Sequence, residues 1–393
     1  MSGYVDKFKM PPRLFTPLRI GDIELSHRLI LAPCTRCRSP EQIPGQLNIE
    51  YYSQRATKGG LLIIEATFIS PGAGSFARVP GIVQTDQIEG WKKVTSAVHA
   101  KEGYIFLQLW YTGRLSILAC FKKCLSKYSS RIINLHVLLM CPLINHPQAR
   151  TNDWRDVPFA QPTGLEDMHQ VCSEYAQAAS NVSLQSLTES KYTPPMNTWK
   201  INPLNDRQDE FGGSIENRAR FPLMIVNSLI QSVGAHRVAI RLSPFGNVHG
   251  AADSDPYTTW GYVCREIEKR KIAYVHLVEP RHQDLFQSTE QKLNFLKERA
   301  SRMGRDLEDA LTLRPFKQAL KSMPVLVAGG GLETASNTFL DSQADALAFG
   351  RFFIANADLP LRLQHGLPLN VWKPDLFYTP GSEGYLDYPT ATV

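Results

Sequence analysis

Short apolar runs punctuate the chain, separated by longer stretches in which apolar and charged residues recur at helical spacing. The runs are RLILAP (Arg28–Pro33), GLLIIEATF (Gly60–Phe68), YIFLQLW (Tyr104–Trp110), RVAIRLSP (Arg237–Pro244), IAYVHLVEP (Ile272–Pro280), VLVAGGG (Val325–Gly331) and ALAFGR (Ala346–Arg351). Each is brief, rich in β-branched or aromatic residues and bounded by Gly or Pro, as expected of a strand buried on both faces. Between them, segments such as QIEGWKKVTSAVHAKEG and YTTWGYVCREIEKRK set apolar residues opposite charged ones, the pattern of amphipathic helices. Alternating strand and helix predicts βα units and a parallel sheet, and the spacing of the runs suits an α/β fold of the TIM (β/α)₈ barrel type.

Seven runs are visible where a barrel needs eight. The gap lies between Trp110 and Arg237, after a helical pattern at LEDMHQVCSEYAQAASN (Leu165–Asn181). The missing fourth strand is therefore expected within SLTESKYTPPMNTWKIN (Ser186–Asn202), which has neither helical nor strand period and carries Pro194-Pro195. Proline cannot donate to a central ladder, and Glu189, Lys191 and Lys200 are costly to bury unpaired.

Composition adds bounds. The 393 residues are 43% hydrophobic and 20% charged, an ordinary globular balance. The net charge of +6 is spread along the chain without a polybasic block, which argues against nucleic-acid binding. The longest apolar run, near Ile132–Ile144, contains His136 and is too short to span a bilayer, so no membrane role is expected. MSGYVDKFKMPPRLF has no signal-peptide apolar core, and the seven cysteines form no disulfide framework, so the expectation is a reduced, cytoplasmic protein. Cys34 and Cys37 have CxxC spacing and Cys120 with Cys124 is a looser pair, but no second well-spaced set completes a zinc site.

Chemistry in such a barrel sits at the carboxyl ends of the strands. Gly330-Gly331 and Gly350-Arg351 follow the last two strands, where backbone N–H groups and one guanidinium suit a phosphate; tight turns alone would also explain the glycines. Gln108 closes an otherwise apolar strand and can both donate and accept towards a heterocycle, or be a satisfied core amide. Arg241 ends a buried strand and calls for a counter-charge or an electron-rich ring; a structural salt bridge is the alternative.

Several longer stretches, in order, resemble the Old Yellow Enzyme family of FMN-dependent NADPH dehydrogenases and ene-reductases in its fungal form. They are LFTPLRIGDIELSHRLILAPCTRCR, YYSQRATKGGLLIIEATFISP, GIVQTDQIEGWKKVTSAVHAKEGYIFLQLWYTGR, DRQDEFGGSIENRARF, RLSPFG, DALAFGRFFIANADLPLRL and FYTPGSEGYLDYP. The resemblance implies one FMN-binding barrel over residues 14–393, with 1–13 as an N-terminal extension. It implies that Thr35 and Ala66 face the flavin, Gln108 binds its pyrimidine edge and Arg241 lies near N1. Gly330, Gly331, Gly350 and Arg351 would hold the phosphate, and Trp110 and Tyr385 would wall the substrate pocket. NADPH would be the hydride donor, a small enone or enal the acceptor, and the chain a monomer or homodimer. Secondary metabolism, including alkaloid biosynthesis, is a setting the resemblance suggests.

Residues 115–150 and 181–204 depart from that family. Its fourth strand reads like GFDGVEIHxANGYL, whose His and Asn polarise the substrate carbonyl and whose Tyr protonates the adjacent carbon. No such motif occurs here, and Thr193, Met196 and Thr198 stand at the His, Asn and Tyr positions. Yet Ser186–Asn202 can be encoded by codons which, read from the last base of the Ser186 codon, give FDGVEIHAANEYLEDQ. The expectation is an impaired or inactive family member whose fourth unit was replaced by a change of frame. The alternatives are an active ene-reductase with a different true sequence, and a non-catalytic flavin-binding protein.

Overall fold

Strands that read as continuous apolar runs do so because both faces are covered, one by the barrel interior and the other by helices. In the computed structural model the described residues are 10–74, 76–112, 168–183, 207–246, 253–279, 312–329 and 337–392, with Lys191–Tyr192, Asn205 and short pieces between 290 and 306. A hairpin, β1 (Leu18–Ile20) and β2 (Ile23–Leu25), precedes the main sheet. The sheet strands are β3 (Leu29–Leu31), β4 (Leu61–Phe68), β5 (Tyr104–Trp110), β6 (Lys191–Tyr192), β7 (Ala239–Leu242), β8 (Tyr274–Val278), β9 (Val325–Ala328) and β10 (Ala346–Phe349).

Their order across the sheet is β6-β5-β4-β3-β10-β9-β8-β7. Followed around a ring this is simply chain order, with the last strand paired to the first through Leu347 beside Leu29 and Phe349 beside Leu31. All strand pairings in this sheet among the described residues are parallel, and the two end strands, β6 and β7, lie next to each other. That is the (β/α)₈ arrangement the spacing predicted. All seven apolar runs form strands, and the gap before Arg237 holds a two-residue strand whose backbone pairs Lys191 with Phe106 and Tyr192 with Leu107. The fourth position is thus occupied from within Ser186–Asn202. Thr193, Met196 and Thr198 lie outside the described residues, as do Gly330 and Gly331.

The helices are α1 (Gln46–Arg55), α2 (Thr85–His99), α3 (Met168–Ser183), α4 (Ile215–Val233), α5 (Pro256–Glu268), α6 (Arg314–Ala319), α7 (Asn337–Ser342), α8 (Arg351–Ala355) and α9 (Leu359–His365). Local sequence explains several boundaries. Ser214 accepts from the Asn217 N–H at the start of α4, and Gly234 ends it at φ 83°, a conformation that costs glycine nothing. Asp255 likewise accepts from the Thr258 N–H, with Pro256 in the first turn of α5 where its missing N–H is harmless.

Side chains alternate along each strand between two cores. Ile30, Ile63, Phe106, Ala239, Tyr274 and Leu326 point into the barrel, joined by Ile20, Ile23 and Leu25 of the hairpin. Leu31, Leu62, Leu107, Ile240, Val275 and Val327 face the helices. The hairpin fills the amino end, so the carboxyl ends are left for a site. At the centre of the inner core the rings of Phe106 and Tyr274 are 4.9 Å apart, each fully buried. Phe106→Ala should cost about 3–5 kcal/mol through lost burial and a residual cavity, seen as a lower urea midpoint; an unchanged midpoint would show that this contact is not part of the barrel's core.

Candidate functional site

The carboxyl ends of β3, β4, β5, β7 and β10 bring most of the sequence-predicted residues together. Ala66 on β4 is the register partner of Gln108 on β5. Gly350 follows β10, and a Cβ built there would stand 2.9 Å from Cys34 Sγ, so the exits of β10 and β3 nearly touch. The Cys34 thiol is pushed up by burial, opposed by the guanidinium groups of Arg36, Arg241 and Arg351 around it. Thr35 is half-buried beside it, and Arg351 is exposed with its charge 5.3 Å from the Trp372 ring centroid. Trp110 is half-buried and stacks on Phe68 at 5.6 Å and near Phe76 at 5.2 Å, an aromatic flank to the mouth.

Within the mouth, polar atoms are buried without protein partners among the described residues: Gln108 Nε2, Arg241 Nε, Ser243 Oγ and both ring nitrogens of His276. Arg241 and His276 are register partners on adjacent strands. Burial, reinforced by Arg241, holds the His276 imidazole well below its ordinary range and therefore neutral. Burial likewise lowers Arg241, and no carboxylate pairs with it among the described residues. Buried polar groups are normally satisfied, so a layer of unmet donors in a barrel interior is what a polar ligand would complete. Among the described residues no salt bridge to Arg241 forms, and Gln108 Nε2 has no partner.

Tyr385 is the correction. It is fully buried, stacked face to face on Tyr51 at 4.1 Å, with Arg36 and Arg38 5.0 and 4.8 Å from its ring centroid. A ring closed in by two guanidinium groups and a tyrosine has no surface with which to wall a pocket. Tyr378 is the open aromatic of that C-terminal segment, 44% exposed and within electrostatic reach of Cys34 and Arg36. Nothing in the sequence distinguishes the two tyrosines, since both lie in FYTPGSEGYLDYP.

The sequence reading also missed the network beneath the mouth. Arg36 donates to the carbonyls of Phe377 (3.0 Å) and Gly384 (2.7 Å) and to Tyr51 Oη (3.2 Å). Arg38 donates to the carbonyls of Arg36, Leu376, Phe377, Gly381 and Glu383. Glu65, fully buried on β4, accepts from the Arg36 backbone N–H at 3.0 Å. An acid inside LLIIEATF was a signal that could have marked it.

Comparisons with known proteins agree with this architecture. The profile of the NADH:flavin oxidoreductase / NADH oxidase family matches residues 13–182 and 197–370, leaving out 183–196. Flavin oxidoreductase hxnT of Emericella nidulans is 38% identical over 96% of this chain and 97% of its own length. The 12-oxophytodienoate reductase 1 of Oryza sativa subsp. japonica is 35% identical over 96% and 92%. Morphinone reductase superposes with a TM-score of 0.77 at 33% identity, covering 96% of each chain, and its complex with tetrahydroNAD superposes at 0.75 with 32% identity, covering 97% of this chain and 98% of that one. A parallel barrel with unmet polar groups at its mouth is an α/β scaffold with a candidate ligand site at the carboxyl ends of its strands. The chain belongs to the NADH:flavin oxidoreductase / NADH oxidase family, the Old Yellow Enzyme family. No helix among the described residues is long and apolar enough to cross a membrane.

Two outcomes are expected. Gly350→Ala should cost about 1–2 kcal/mol by overpacking against Cys34, and adding Cys34→Ala should restore most of the lost melting temperature; no recovery would mean the two exits are not in contact. Burial pushes the Glu65 carboxyl from its ordinary 4.5 up to about 7. The folded chain therefore holds that proton more tightly than the unfolded one. Its contribution to stability is complete below pH 4.5 and is lost as pH rises to about 7. Glu65→Gln mimics the protonated acid, so the stability of wild type relative to this variant should fall across that window in urea titrations, and a constant difference would contradict the shift.

Proposed function

We propose that the chain is an FMN-binding oxidoreductase of ene-reductase type that accepts hydride from NADPH and is severely impaired in alkene reduction. The buried Gln108 Nε2 and Arg241 Nε, without partners among the described residues, carry the cofactor half of this reading. A primary amide that both donates and accepts matches the imide edge of a flavin, and a guanidinium with no carboxylate beside it among the described residues matches an electron-rich ring. When bound, FMN supplies a centre that takes hydride from a nicotinamide and gives it to an activated alkene. Thr35 and Ala66 would face the ring, while Gly350 and Arg351, with Gly330 and Gly331, would hold the phosphate. Trp110 would flank the substrate, an α,β-unsaturated carbonyl compound, and Tyr378 takes the place first given to Tyr385. The morphinone reductase complex with a reduced nicotinamide analogue supports a nicotinamide donor in this family.

The second half rests on Ser186–Asn202. Met196 has no proton to donate, and the hydroxyls of Thr193 and Thr198 are shorter and less acidic than the imidazole and phenol they stand in for. Carbonyl polarisation and general acid catalysis each contribute about 10²–10³-fold or more, so losing both leaves little turnover. Residues 14–393 would form the single barrel domain, and a place in secondary, including alkaloid, metabolism is the setting that the family resemblance favours.

A second reading is favoured by one observation, the family-like peptide FDGVEIHAANEYLEDQ compatible with a shifted reading of Ser186–Asn202. In that reading the natural product is an active ene-reductase with the turn restored. Purification of the chain as written should give stoichiometric FMN that NADPH bleaches, with cyclohexenone turnover lowered by about three orders of magnitude or more relative to an active family member. Full turnover would overturn the impairment, and absence of bound flavin would overturn the cofactor assignment.

A further inference from the structure

We infer that Glu65 and Tyr52 form a positioning pair that turns Ala66 onto the inner face of the barrel and fixes the Cys34–Cys37 turn beside it. Where the inference concerns the cofactor, it rests on the reading of Thr35 and Ala66 as flavin-facing.

The starting observation is a register shift. Ile63 pairs with Phe106 and Ala66 with Gln108, so three steps along β4 match two along β5. One extra residue is accommodated there, a β-bulge. With side chains alternating at period two, an inward Ile63 would send Ala66 outward towards the helices. The bulge reverses this and sets Ala66 alongside Gln108. Bulges re-aim side chains in this way, at the cost of backbone groups left out of the ladder.

Tyr52 and Glu65 satisfy those groups. The Glu65 N–H donates to Tyr52 Oη at 3.1 Å, and the Tyr52 hydroxyl approaches Glu65 Oε1 at 3.4 Å. The other carboxyl oxygen, Oε2, accepts from the Arg36 N–H at 3.0 Å, and the Cys37 N–H also bonds the carboxyl. The Glu65 carbonyl takes the Thr67 hydroxyl at 3.0 Å. Tyr52, Glu65 and Arg36 are each at most 1% exposed, so water cannot replace any of these partners. The carboxyl thus joins two strand exits: Ala66 is its next neighbour in sequence on β4, and Thr35 precedes the Arg36 N–H that it holds after β3. A carboxyl, or a carboxamide in its place, meets both neighbours: one oxygen accepts from the turn N–H groups and the second polar atom lies against the phenol. Tyrosine is needed because its single oxygen accepts from the bulge N–H while its hydrogen faces the acid.

The test uses the full chain with Tyr52→Phe, Glu65→Leu and Glu65→Gln, at a pH below 7 where Glu65 holds its proton. Hydrogen exchange is recorded without cofactor, and FMN affinity is then titrated together with the absorption band of the bound flavin. Glu65→Leu should speed exchange at the Arg36–Arg38 and Ala66–Phe68 amides about tenfold and weaken FMN by a similar factor, the expected effect of losing hydrogen bonds to a buried acceptor. Tyr52→Phe should act at the same amides to a smaller extent, and Glu65→Gln should restore both readouts to within about threefold of wild type because it keeps an acceptor oxygen. Wild-type exchange in the Leu and Phe variants, or acceleration spread evenly through α4 and α5, would overturn the proposal. If Glu65→Leu does not fold, Tyr52→Phe, which deletes one oxygen, decides alone. Should wild type bind no FMN, the cofactor reading fails, while the local exchange pattern still decides for or against the pair.

Discussion

Three buried guanidinium groups hold the mouth of this barrel in place. Arg36, Arg38 and Arg55 are 0%, 2% and 1% exposed. A buried charge is tolerable only where it is hydrogen-bonded on most sides, and here backbone carbonyls do most of that work. Arg36 and Arg38 tie the turn after β3 to the C-terminal segment around Phe377–Gly384. Arg55 crosses from α1 to the carbonyls of Phe353 and Ile354 at the end of the barrel's last βα unit, with its guanidinium 3.6 Å from the Tyr51 ring centroid. First strand, last strand and C-terminal segment are thereby joined at one corner. Glu65 is the acid set among these cations, and its own burial keeps it near neutrality.

The contrast between that corner and the barrel interior is informative. Around Arg36 and Arg38 nearly every donor has a carbonyl in reach, so the region reads as scaffold. Around Gln108, Arg241 and His276 donors and acceptors go unmet among the described residues. Such groups are costly in a low-dielectric interior, and a fold that retains them beside well-satisfied neighbours reserves them for something else. A heterocycle with a polar edge and an anionic tail fits that role, in keeping with the flavin oxidoreductase family to which the chain belongs. The bulge on β4 belongs to the same design, since it alone brings Ala66 to the interior next to Gln108.

Much of the site was legible in the sequence because strand ends are legible. Gln108, Arg241 and Gly350 stand where apolar runs stop, and the ladder carries those ends to one side; Ala66 followed only from the family resemblance. Tyr385 was misplaced for a different reason. Tyr378 and Tyr385 occupy one irregular segment without periodicity, and only the stacking on Tyr51 and the two arginines turns one inward and leaves the other open. Glu65 was visible as an acid in an apolar strand, yet its role depends on Tyr52 in α1 and on the backbone of Arg36, contacts between segments that sequence spacing does not relate.

By itself the sequence determined the βα alternation, the seven strong strands, the family and the anomaly at Ser186–Asn202, because hydrophobic period and turn residues act locally. It also showed that Ser186–Asn202 lacks the His, Asn and Tyr that the family resemblance implies for the turn after the fourth strand. Tertiary structure decided that Lys191–Tyr192 takes the fourth position against β5, since a parallel ring offers backbone pairing to whatever segment reaches it. It decided as well which polar side chains are satisfied and which have no partner among the described residues. Those outcomes depend on hydrogen-bond partners brought together from distant parts of the chain, and local pattern carries no record of them.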